Sequence, residues 1–489
     1  MSRWWLWWFC IFGPGSFIRL WGLSAQSLWY DEAFTALVAA LPWPRLLAAT
    51  AGDVHPPLWY VLEKLIVLVL GNSEVALRLP SAIFGVFNIW LIRKVGERLG
   101  FSQPVVVLAS AIMAFAPFQI YYSQEARMYE LLQALILLAA WAILERHWIV
   151  LGAIWAVMLY THNLAVLYIA ILSVSYQHRR DLVGVLYAEV LAFLAYVPWM
   201  PMLLNQMGDV GDGFWVPNLS IGSFLYVFYQ LFFYIIILPS WAELHGASFL
   251  YILLILAIWR GIADRLWLVL AWALLPIGLA AIVSLAWKPI YLHRTLIGAA
   301  PFLYLLVAHG LAQLSPRRLT LAGGTLAVLA IIGLGRYYWC PNDIRPGDAS
   351  YTGVIREQRQ AGDVLFHMNL SSYILYGYYL PDLPAYLWPQ ANDLSQSLTN
   401  ETKSAMGIHQ AEIWDIPTNA SRIWLIWVDN PHISQAEVRA AGAALAWGRS
   451  PRLVETIRDD ELVTAKVWLL EAKVKWERTK KHYCPGKLK

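Results

Sequence analysis

The chain has 489 residues, of which 59% are hydrophobic and 14% are charged, and its mean hydropathy is +0.52. This composition is typical of a protein with many membrane spans and excludes an ordinary soluble domain. The net charge of +4 is small for this length, so it gives no reason to expect nucleic acid as a partner. The cysteines, Cys10, Cys340 and Cys484, lack metal-ligand spacing, and a Cys340–Cys484 disulfide stays open.

Apolar runs that are long enough to cross a bilayer, which takes roughly 20 residues, divide most of the chain. They predict eleven spans, at 4–23, 78–95, 104–121, 127–144, 148–161, 164–177, 182–203, 246–260, 266–286, 293–313 and 319–335. The first has no small-residue cleavage site, so we interpret it as a retained signal anchor. Two further apolar helices, at 57–70 and 221–239, are ambiguous.

The positive-inside rule decides between the topologies. If neither ambiguous helix crosses, the lysine and arginine residues of the short loops collect on the cytoplasmic side, whereas two crossings would move those at 93–180 outside. We therefore predict that both helices pack on the outer face of the cytoplasmic membrane. The same choice makes the following segments extracytoplasmic: 24–77, 121–127, 161–163, 204–245, 287–293 and 336–489.

A change of composition after Gly335 divides the chain into a predicted transmembrane domain at 1–335 and a predicted extracytoplasmic domain at 336–489. Apolar runs bounded by turn residues predict strands within 361–369, 422–430, 452–460 and 462–472, and polar start signals predict a helix at 431–447. About 150 residues can hold a core of their own, so we expect a soluble α/β fold there.

Two adjacent carboxylates stand just beyond the first predicted span, in the sequence LWYDEAF. An ionised group beside lipid is costly, so Asp31 and Glu32 are candidate catalytic residues, with Tyr30 next to them. The alternative is helix capping, in which an acid in the first turn satisfies free N–H groups, and it applies to Glu32 more than to Asp31. In the later sequence DVHPPLWY, His55 precedes a helix start and could donate to an anionic headgroup, although it could also be a solvated loop histidine.

Further polar and aromatic side chains fall on the same predicted face of the membrane. They are Glu125, Arg127, Tyr129, His162, Trp215, His293 and Arg294. Each has a plain structural alternative, such as a salt bridge, a packing histidine, an arginine that snorkels to headgroups or an aromatic anchor at the interface. Carboxylates can activate a nucleophile while arginine and histidine hold phosphate, so their convergence from distant loops indicates a substrate with a phosphate and a membrane tail.

A set of short motifs then occurs in order between residues 20 and 310: WYDEAF, DVHPPLWY, ALRLPSAIFGVFNIW, YYSQEARMYELL, YTHN and HRTLIGAAP. Together they resemble the bacterial GT-C glycosyltransferases of family 39, protein-mannosyltransferase-like integral membrane enzymes related to the aminoarabinose transferase of lipid A. The resemblance implies that a sugar moves from a polyprenyl-phosphate-linked donor to a lipid, glycan or protein acceptor on the outer face of the membrane, usually with inversion. The remaining C-terminal residues fit only the general pattern of a variable extracytoplasmic domain.

The resemblance also implies roles for single residues. The aspartate at the family's catalytic centre corresponds to Asp31, and a second acidic motif corresponds to Glu125. His55 stands where the aminoarabinose branch has a lysine that contacts the lipid phosphate, so a charge that depends on pH replaces a permanent one. The frequent Arg-Tyr pair of a later span is Arg294-Thr295 here, without the tyrosine hydroxyl.

The predicted site therefore has three groups of residues. Asp31, with Glu32 and Glu125, forms the catalytic group. The phosphate-binding group contains His55, Arg127, His293 and Arg294, and the acceptor or sugar pocket contains Tyr30, Tyr129, His162 and Trp215. No HExxH or DxD motif stands at these clusters, so no cofactor is certain and a divalent cation stays open.

Two other functions use similar groups. A transporter or flippase of lipid-linked sugars would place charges near the bilayer midplane on broken helices and show a repeat between halves, whereas here the charges lie at the predicted outer edge. A polymerase or ligase of surface polysaccharide would use the same donor class but join preassembled chains. The sequence therefore favours an enzyme over a transporter, and the polymerase or ligase is the closer alternative.

Overall fold

A computed structural model describes residues 7–175, 181–209, 216–234, 240–339, 349–389, 398–411, 420, 422–428, 449–458 and 464–472. The chain forms two compact units, of which the first holds Met1–Asp348 and Leu394–Gly407 and the second holds Ala349–Asp393 and Ile408–Lys489. The predicted domain boundary after residue 335 falls inside a helix, Pro316–Trp339, because the composition changes before that helix ends.

The first unit is helical. After a π-helical turn at Trp8–Phe12 its helices are α1 (Gly13–Leu20), α2 (Tyr30–Ala40), α3 (Trp43–Ala51), α4 (Leu58–Leu70), α5 (Glu74–Arg98), α6 (Gln103–Phe115), α7 (Pro117–Ser123), α8 (Tyr129–Leu144), α9 (Trp148–Thr161), α10 (Ala165–Ser175), α11 (Leu182–Tyr196), α12 (Met200–Asp209), α13 (Ile221–Phe233), α14 (Ser240–Ala263), α15 (Trp267–Ala286), α16 (Ala300–Ala312) and α17 (Pro316–Trp339). The chain continues with α18 (Ala349–Gln358), β1 (Asp363–His367), α19 (Leu370–Tyr379), β2 (Ala385–Leu387), α20 (Asn400–Met406), β3 (Arg422–Val428), β4 (Arg449–Arg458) and β5 (Thr464–Ala472). Of these later elements, α20 belongs to the first unit.

Among the described residues, six helices are long and apolar enough to cross a membrane, at Glu74–Arg98, Leu182–Met207, His245–Ala263, Trp267–Ala286, His293–Ala312 and Pro316–Trp339. The pair α6 and α7 could form a seventh span, bent by 55° where Pro117 interrupts the helix. The helices α8, α9, α10 and α13 are apolar but shorter. The protein is therefore an integral membrane protein, while the predicted number of eleven spans and the non-crossing of the helices near 57–70 and 221–239 stay predictions.

Helix α8 runs through the core of the first unit, with almost every side chain buried. Its polar groups are satisfied by neighbouring elements: Glu130 accepts from Asn88 Nδ2 at 2.6 Å and from Ser123 Oγ at 3.0 Å, and Gln133 Nε2 donates to the carbonyl oxygen of Ile297 at 2.9 Å. Buried polar groups are costly unless they are paired. These bonds therefore fix α8 against α5, α7 and the turn at 293–299, whose ends carry the site.

The second unit contains a five-stranded mixed sheet in the order β2-β1-β3-β5-β4. Strand β1 pairs in parallel with β2 and β3, and β5 pairs antiparallel with β3 and β4. Every residue of β1 is buried: Val364, Leu365 and Phe366 form its apolar centre, and the buried Asp363 at its start pairs with Arg422. The strands predicted within 361–369, 422–430, 452–460 and 462–472 are present, whereas the predicted helix at 431–447 lies outside the described residues. The predicted fold class, a helical membrane protein with a small α/β region, is confirmed.

Candidate active site

The predicted clusters come together in the first unit, at connections between helices. These positions are Asp31 at the start of α2, His55 before α4, Arg127 between α7 and α8, His162 after α9, and Arg294 in the 3-10 turn at 293–299. Helix ends leave backbone N–H and C=O groups unpaired, so polar side chains and ligands are drawn to them. The contacts below show which of these side chains reach one another.

Asp31 forms an ion pair with Arg294. Its Oδ2 accepts from Nη1 of Arg294 at 3.1 Å, which joins two motifs that are 263 residues apart in the sequence. The Asp31 and Arg294 side chains keep 20% and 16% of their surface exposed, so a ligand can reach the pair. The carboxylate and the guanidinium therefore lie together at an accessible position, where the first can accept a proton and the second can bind an anion.

Glu32, although adjacent to Asp31, is fully buried and engaged by the protein itself. Its two oxygens accept from Nε and Nη2 of Arg78 at 2.8 and 2.7 Å, and Oε1 also accepts from the backbone N–H of Ala126 at 2.9 Å. Arg78 in turn donates to the carbonyl oxygens of Leu23 and Gln26, both at 2.7 Å. The carboxylate of Glu32 thus ties the start of α2 to α5 and to the connection that carries Arg127. It is the capping alternative for Glu32 that the contacts favour.

Arg127 is buried and links three segments. Its Nη1 donates to the hydroxyl of Thr35 at 3.2 Å and to the hydroxyl of Tyr60 at 3.4 Å. The Tyr60 hydroxyl donates to Oδ2 of Asp53 at 3.0 Å. Within the described part of the chain, Nε of Arg127 has no hydrogen-bond partner, so the guanidinium retains a donor that an anion could use.

Asp53 is a carboxylate near the site that is not among the predicted site residues. It belongs to the quoted motif DVHPPLWY, two residues before His55, but a single acid in a loop has no distinguishing pattern. Burial raises the pKa of Asp53 above its usual value, and the nearby Arg127 and the Tyr60 hydroxyl oppose that rise. The Tyr60 hydroxyl therefore connects Asp53 to Arg127.

The imidazoles of His55 and His162 face each other with ring centroids 5.5 Å apart. Nδ1 of His162 accepts from the backbone N–H of Leu164 at 3.0 Å, which places the proton of the neutral ring on Nε2. Nδ1 of His55 is buried and has no partner among the residues described. Burial, reinforced by Arg127 and Arg294, holds the pKa of His55 well below its usual range and lowers the pKa of His162 to about 3, so both rings are neutral.

The other predicted site residues differ in position. The ring centroids of Tyr129 and His162 are 6.3 Å apart. Glu125 is buried and close enough to Arg294 for an electrostatic interaction. His293 packs edge-on against aromatic rings, with Tyr234 at 5.2 Å, and Tyr30 opens α2 as a half-buried residue. Trp215 lies outside the described residues.

A cavity of about 620 Å³ opens beside these groups. Its polar wall contains His55, Tyr129, His162, Glu189, Lys288 and Arg294. The rest of its wall is largely apolar and comes from α9, α10, α11, α12 and α15, with residues such as Leu159, Leu167, Phe193, Met200, Leu203 and Val283. A cavity with a basic polar wall and a long apolar wall suits a molecule that has an anionic head and a hydrocarbon tail.

Residues 54–204 match the family model described as dolichyl-phosphate-mannose-protein mannosyltransferase. Two crystal structures of ArnT from Cupriavidus metallidurans match nearly the whole chain. The one bound to undecaprenyl phosphate has a TM-score of 0.61 and 14% identity over 94% of this chain and 98% of that chain. The apo state has a TM-score of 0.61 and 15% identity over 92% of this chain and 95% of that chain. The chain has the GT-C glycosyltransferase fold.

The predicted GT-C fold is thereby confirmed, and together with the family match it indicates a glycosyltransferase. No curated protein sequence matches the chain. The family match contains His55, Glu125, Arg127 and His162 but stops short of Asp31 on one side, and Arg294 lies beyond its other end. The roles predicted for the single residues of the GT-C site stay predictions.

The divalent cation left open by the sequence has no evident ligand set. Across the part of the chain that the structure describes, no three His, Cys, Asp or Glu side chains come close enough together to hold a metal ion. Asp31 is paired with Arg294 and Asp53 with Tyr60.

Proposed function

We propose that the protein is a membrane glycosyltransferase that moves a sugar from a polyprenyl-phosphate-linked donor to the hydroxyl group of a lipid, glycan or protein acceptor. The observation that carries this proposal is the Asp31–Arg294 ion pair beside a cavity with one basic wall and a long apolar wall. The GT-C fold supports it, and so does the undecaprenyl phosphate named for one of the ArnT structures.

The donor phosphate would bind where Arg294, Arg127 and His55 converge. Arg294 and His55 line the cavity, and Arg127 holds an unused Nε donor close to them. The apolar wall would hold the polyprenyl chain. Because the site is largely shielded from water, fixed positive groups stabilise the charge that grows on the leaving phosphate more strongly than they would in solution.

Asp31 would act as the general base. A bound phosphate competes for Arg294, and its arrival frees the Asp31 carboxylate to accept the proton of the acceptor hydroxyl. The acceptor oxygen then bonds to the anomeric carbon from the opposite side, and the bond between that carbon and the phosphate oxygen breaks, leaving its electron pair on the phosphate. General base catalysis of this kind contributes roughly 10²–10⁴ in rate.

Glu32 and Glu125 would support this step in different ways. Glu32 fixes the backbone on both sides of the site through Arg78 and Ala126, so it is a positioning residue rather than a base. Glu125, with Tyr129 and His162, would hold the acceptor or the sugar. The polar wall would face the outer side of the cytoplasmic membrane, as the distribution of basic loop residues predicts.

The experiment that tests the proposal uses purified protein in lipid nanodiscs. Radiolabelled sugars are supplied on a panel of polyprenyl phosphates together with extracted membrane acceptors, and transfer by the wild type is compared with that by Asp31→Asn. The matched control is Asp264→Asn, which changes an acid paired with His309 away from the cavity. We expect transfer with the wild type and the control and none with Asp31→Asn, which should still bind the donor lipid.

Two results would contradict the proposal. Normal transfer by Asp31→Asn would remove Asp31 from the role of base. Saturable binding of the lipid without transfer from any donor would favour the transporter or flippase function.

A further inference from the structure

The reaction proposed above changes the charge of the lipid phosphate, and the next inference rests on that proposed function. The donor is a phosphodiester and carries one negative charge. The product polyprenyl phosphate is a monoester whose second pKa is about 6, so above that pH it carries nearly two. The acceptor hydroxyl releases one proton in the same step. Asp31 receives that proton, so a site that binds both lipids must accommodate one extra negative charge when it holds the product.

Uptake of a further proton from solvent would offset this charge. Glu189 and Lys288 also line the cavity, but the two neutral imidazoles, His55 and His162, interact with both site arginines, so we take them as the groups that could accept a proton. Both line the cavity next to Arg294, and their rings lie 5.5 Å apart. The neutral His162 ring has its proton on Nε2, because Nδ1 accepts from Leu164. The His55 ring has a buried Nδ1 without a partner in the described chain, a nitrogen that can be protonated without breaking an existing hydrogen bond.

The charged groups around the two rings explain why they are neutral without ligand. Arg127 and Arg294 face both rings and disfavour a further positive charge, and burial does so more strongly. Tyr129 lies on the side of His162, and Asp53 lies in the same loop as His55. A phosphodiester brings a single negative charge, which the two arginines already balance.

A dianionic phosphate changes this balance. Its second negative charge favours the charged form of a nearby imidazole, because an opposite charge within a few ångströms raises the stability of the imidazolium. We propose that the His55–His162 pair binds the product polyprenyl phosphate with uptake of one proton, whereas the donor phosphodiester binds without it. The pair then makes product release dependent on pH: the product dissociates more readily as the pH rises.

The test measures proton uptake directly. Wild-type protein in nanodiscs is titrated with polyprenyl phosphate, and separately with its methyl phosphodiester as a donor-like monoanion, by calorimetry in buffers of different ionisation enthalpy. We expect uptake that approaches one proton for the monoester and none for the diester. By linkage, the affinity for the monoester should rise up to about tenfold per pH unit as the pH falls from about 8.5 to about 6.5, and that for the diester should not.

Variants distinguish the histidines from the phosphate itself. In His55→Gln and in His162→Gln we expect reduced proton uptake with the monoester, and in the double variant none, while binding of the diester shows that the cavity is intact. His309→Gln, at an ion pair away from the cavity, should behave as the wild type.

Proton uptake that persists in the double variant would overturn the inference, because the phosphate would then be the group that is protonated. The absence of uptake in the wild type, with both lipids bound, would overturn it as well and leave the proposed function standing. If neither lipid binds, the proposed function falls and this inference falls with it.

Discussion

At the scale of single residues, Arg294 has two successive partners in the proposed reaction. They are the Asp31 carboxylate before the donor binds and the donor phosphate afterwards. Without it Asp31 would lose its partner, and the phosphate would lose a donor on the cavity wall. We expect Arg294→Gln to lower kcat/KM for the donor by about 10²–10³, the cost of removing one preorganised donor at a site of developing charge. Arg294→Lys should retain part of the activity, since the charge remains while the fork geometry is lost.

The measurement is the initial rate of sugar transfer at varied donor concentration, with Arg359→Gln as the control. Arg359 pairs with Asp382 at the surface of the second unit, so its loss should leave the rates unchanged. An Arg294→Gln variant with wild-type kcat/KM would contradict the role of this arginine in phosphate binding.

Glu32 is a residue whose role we expect to be stability. Its carboxylate and Arg78 are both buried, and removing one partner leaves the other charge without compensation. We expect Glu32→Gln to destabilise the first unit by about 3–5 kcal/mol, because breaking one side of a buried ion pair has such a cost. Thermal unfolding in detergent would show this as a lower midpoint.

The control for Glu32 is Lys94→Gln, which removes one side of a partly exposed i,i+3 pair with Glu97 and should cost about 0.5 kcal/mol or less, because Glu97 keeps its pair with Arg93. Equal unfolding midpoints for the two variants would argue against a structural role for Glu32. Adding Arg78→Met to Glu32→Gln should recover part of the loss, since no buried charge then remains unpaired.

At the scale of elements, α20 acts as a support for the loop that carries Asp53 and His55. Its N-cap residue Thr399 donates to the carbonyl oxygen of Gly52 at 2.7 Å, and Thr402 donates to that of Ala49 at 3.0 Å. These bonds fix the last turn of α3 from a position about 350 residues later in the chain. The site loop is therefore held by a helix that is distant in sequence.

We expect Gly52→Ala to disturb this support. A Cβ atom at residue 52 would lie 2.7 Å from the hydroxyl oxygen of Thr402 and 2.8 Å from that of Thr399, closer than such contacts allow. Overpacking of this kind costs about 1–3 kcal/mol. The donor KM should rise several-fold with a smaller change in kcat, because the phosphate-binding loop is displaced while Asp31 is not. Gly323→Ala, which meets nothing within 4 Å, is the control, and an equal donor KM in both variants would refute the role of α20.

The elements also show what a sequence can predict. The strands β3 and β5 carry the apolar runs IWLIWV and VWLL, which are typical of a buried sheet, and β1 and β4 were predicted from shorter apolar runs. Strand β2, with three residues, and α20, with seven, are too short to produce a periodic pattern. The bend between α6 and α7 interrupts a run that reads as one continuous span, although Pro117 marks the place.

The same limit applies to the site. Asp31, Arg127 and Arg294 could be chosen as candidates because charged residues stand out in an apolar sequence, and the motif resemblance supported Asp31 and Arg294. The partners of these residues could not be predicted. Glu32 binds Arg78, and Tyr60 connects Asp53 to Arg127, through side chains that meet only after folding.

At the scale of the whole molecule, the prediction that remains concerns sidedness. The predicted topology places residues 336–489 on the outer side and the basic residues of the short loops on the cytoplasmic side. Asp382 is exposed in the second unit, and Arg317 is exposed in the first turn of α17. These two positions therefore report on the two predicted sides, and their labelling decides the topology.

The cells have a permeabilised outer envelope and an intact inner membrane, and the probe is a membrane-impermeant maleimide. We expect a cysteine that replaces Asp382 to react in these cells, and a cysteine that replaces Arg317 to react only after the inner membrane is opened. Both are made in a chain whose Cys10, Cys340 and Cys484 are changed to alanine. Replacing Arg317 should not change the orientation of the protein, because the other basic residues of the short loops keep the charge bias that sets it. Labelling of position 317 in intact cells and of 382 only after opening would invert the topology and place the sugar transfer on the cytoplasmic side.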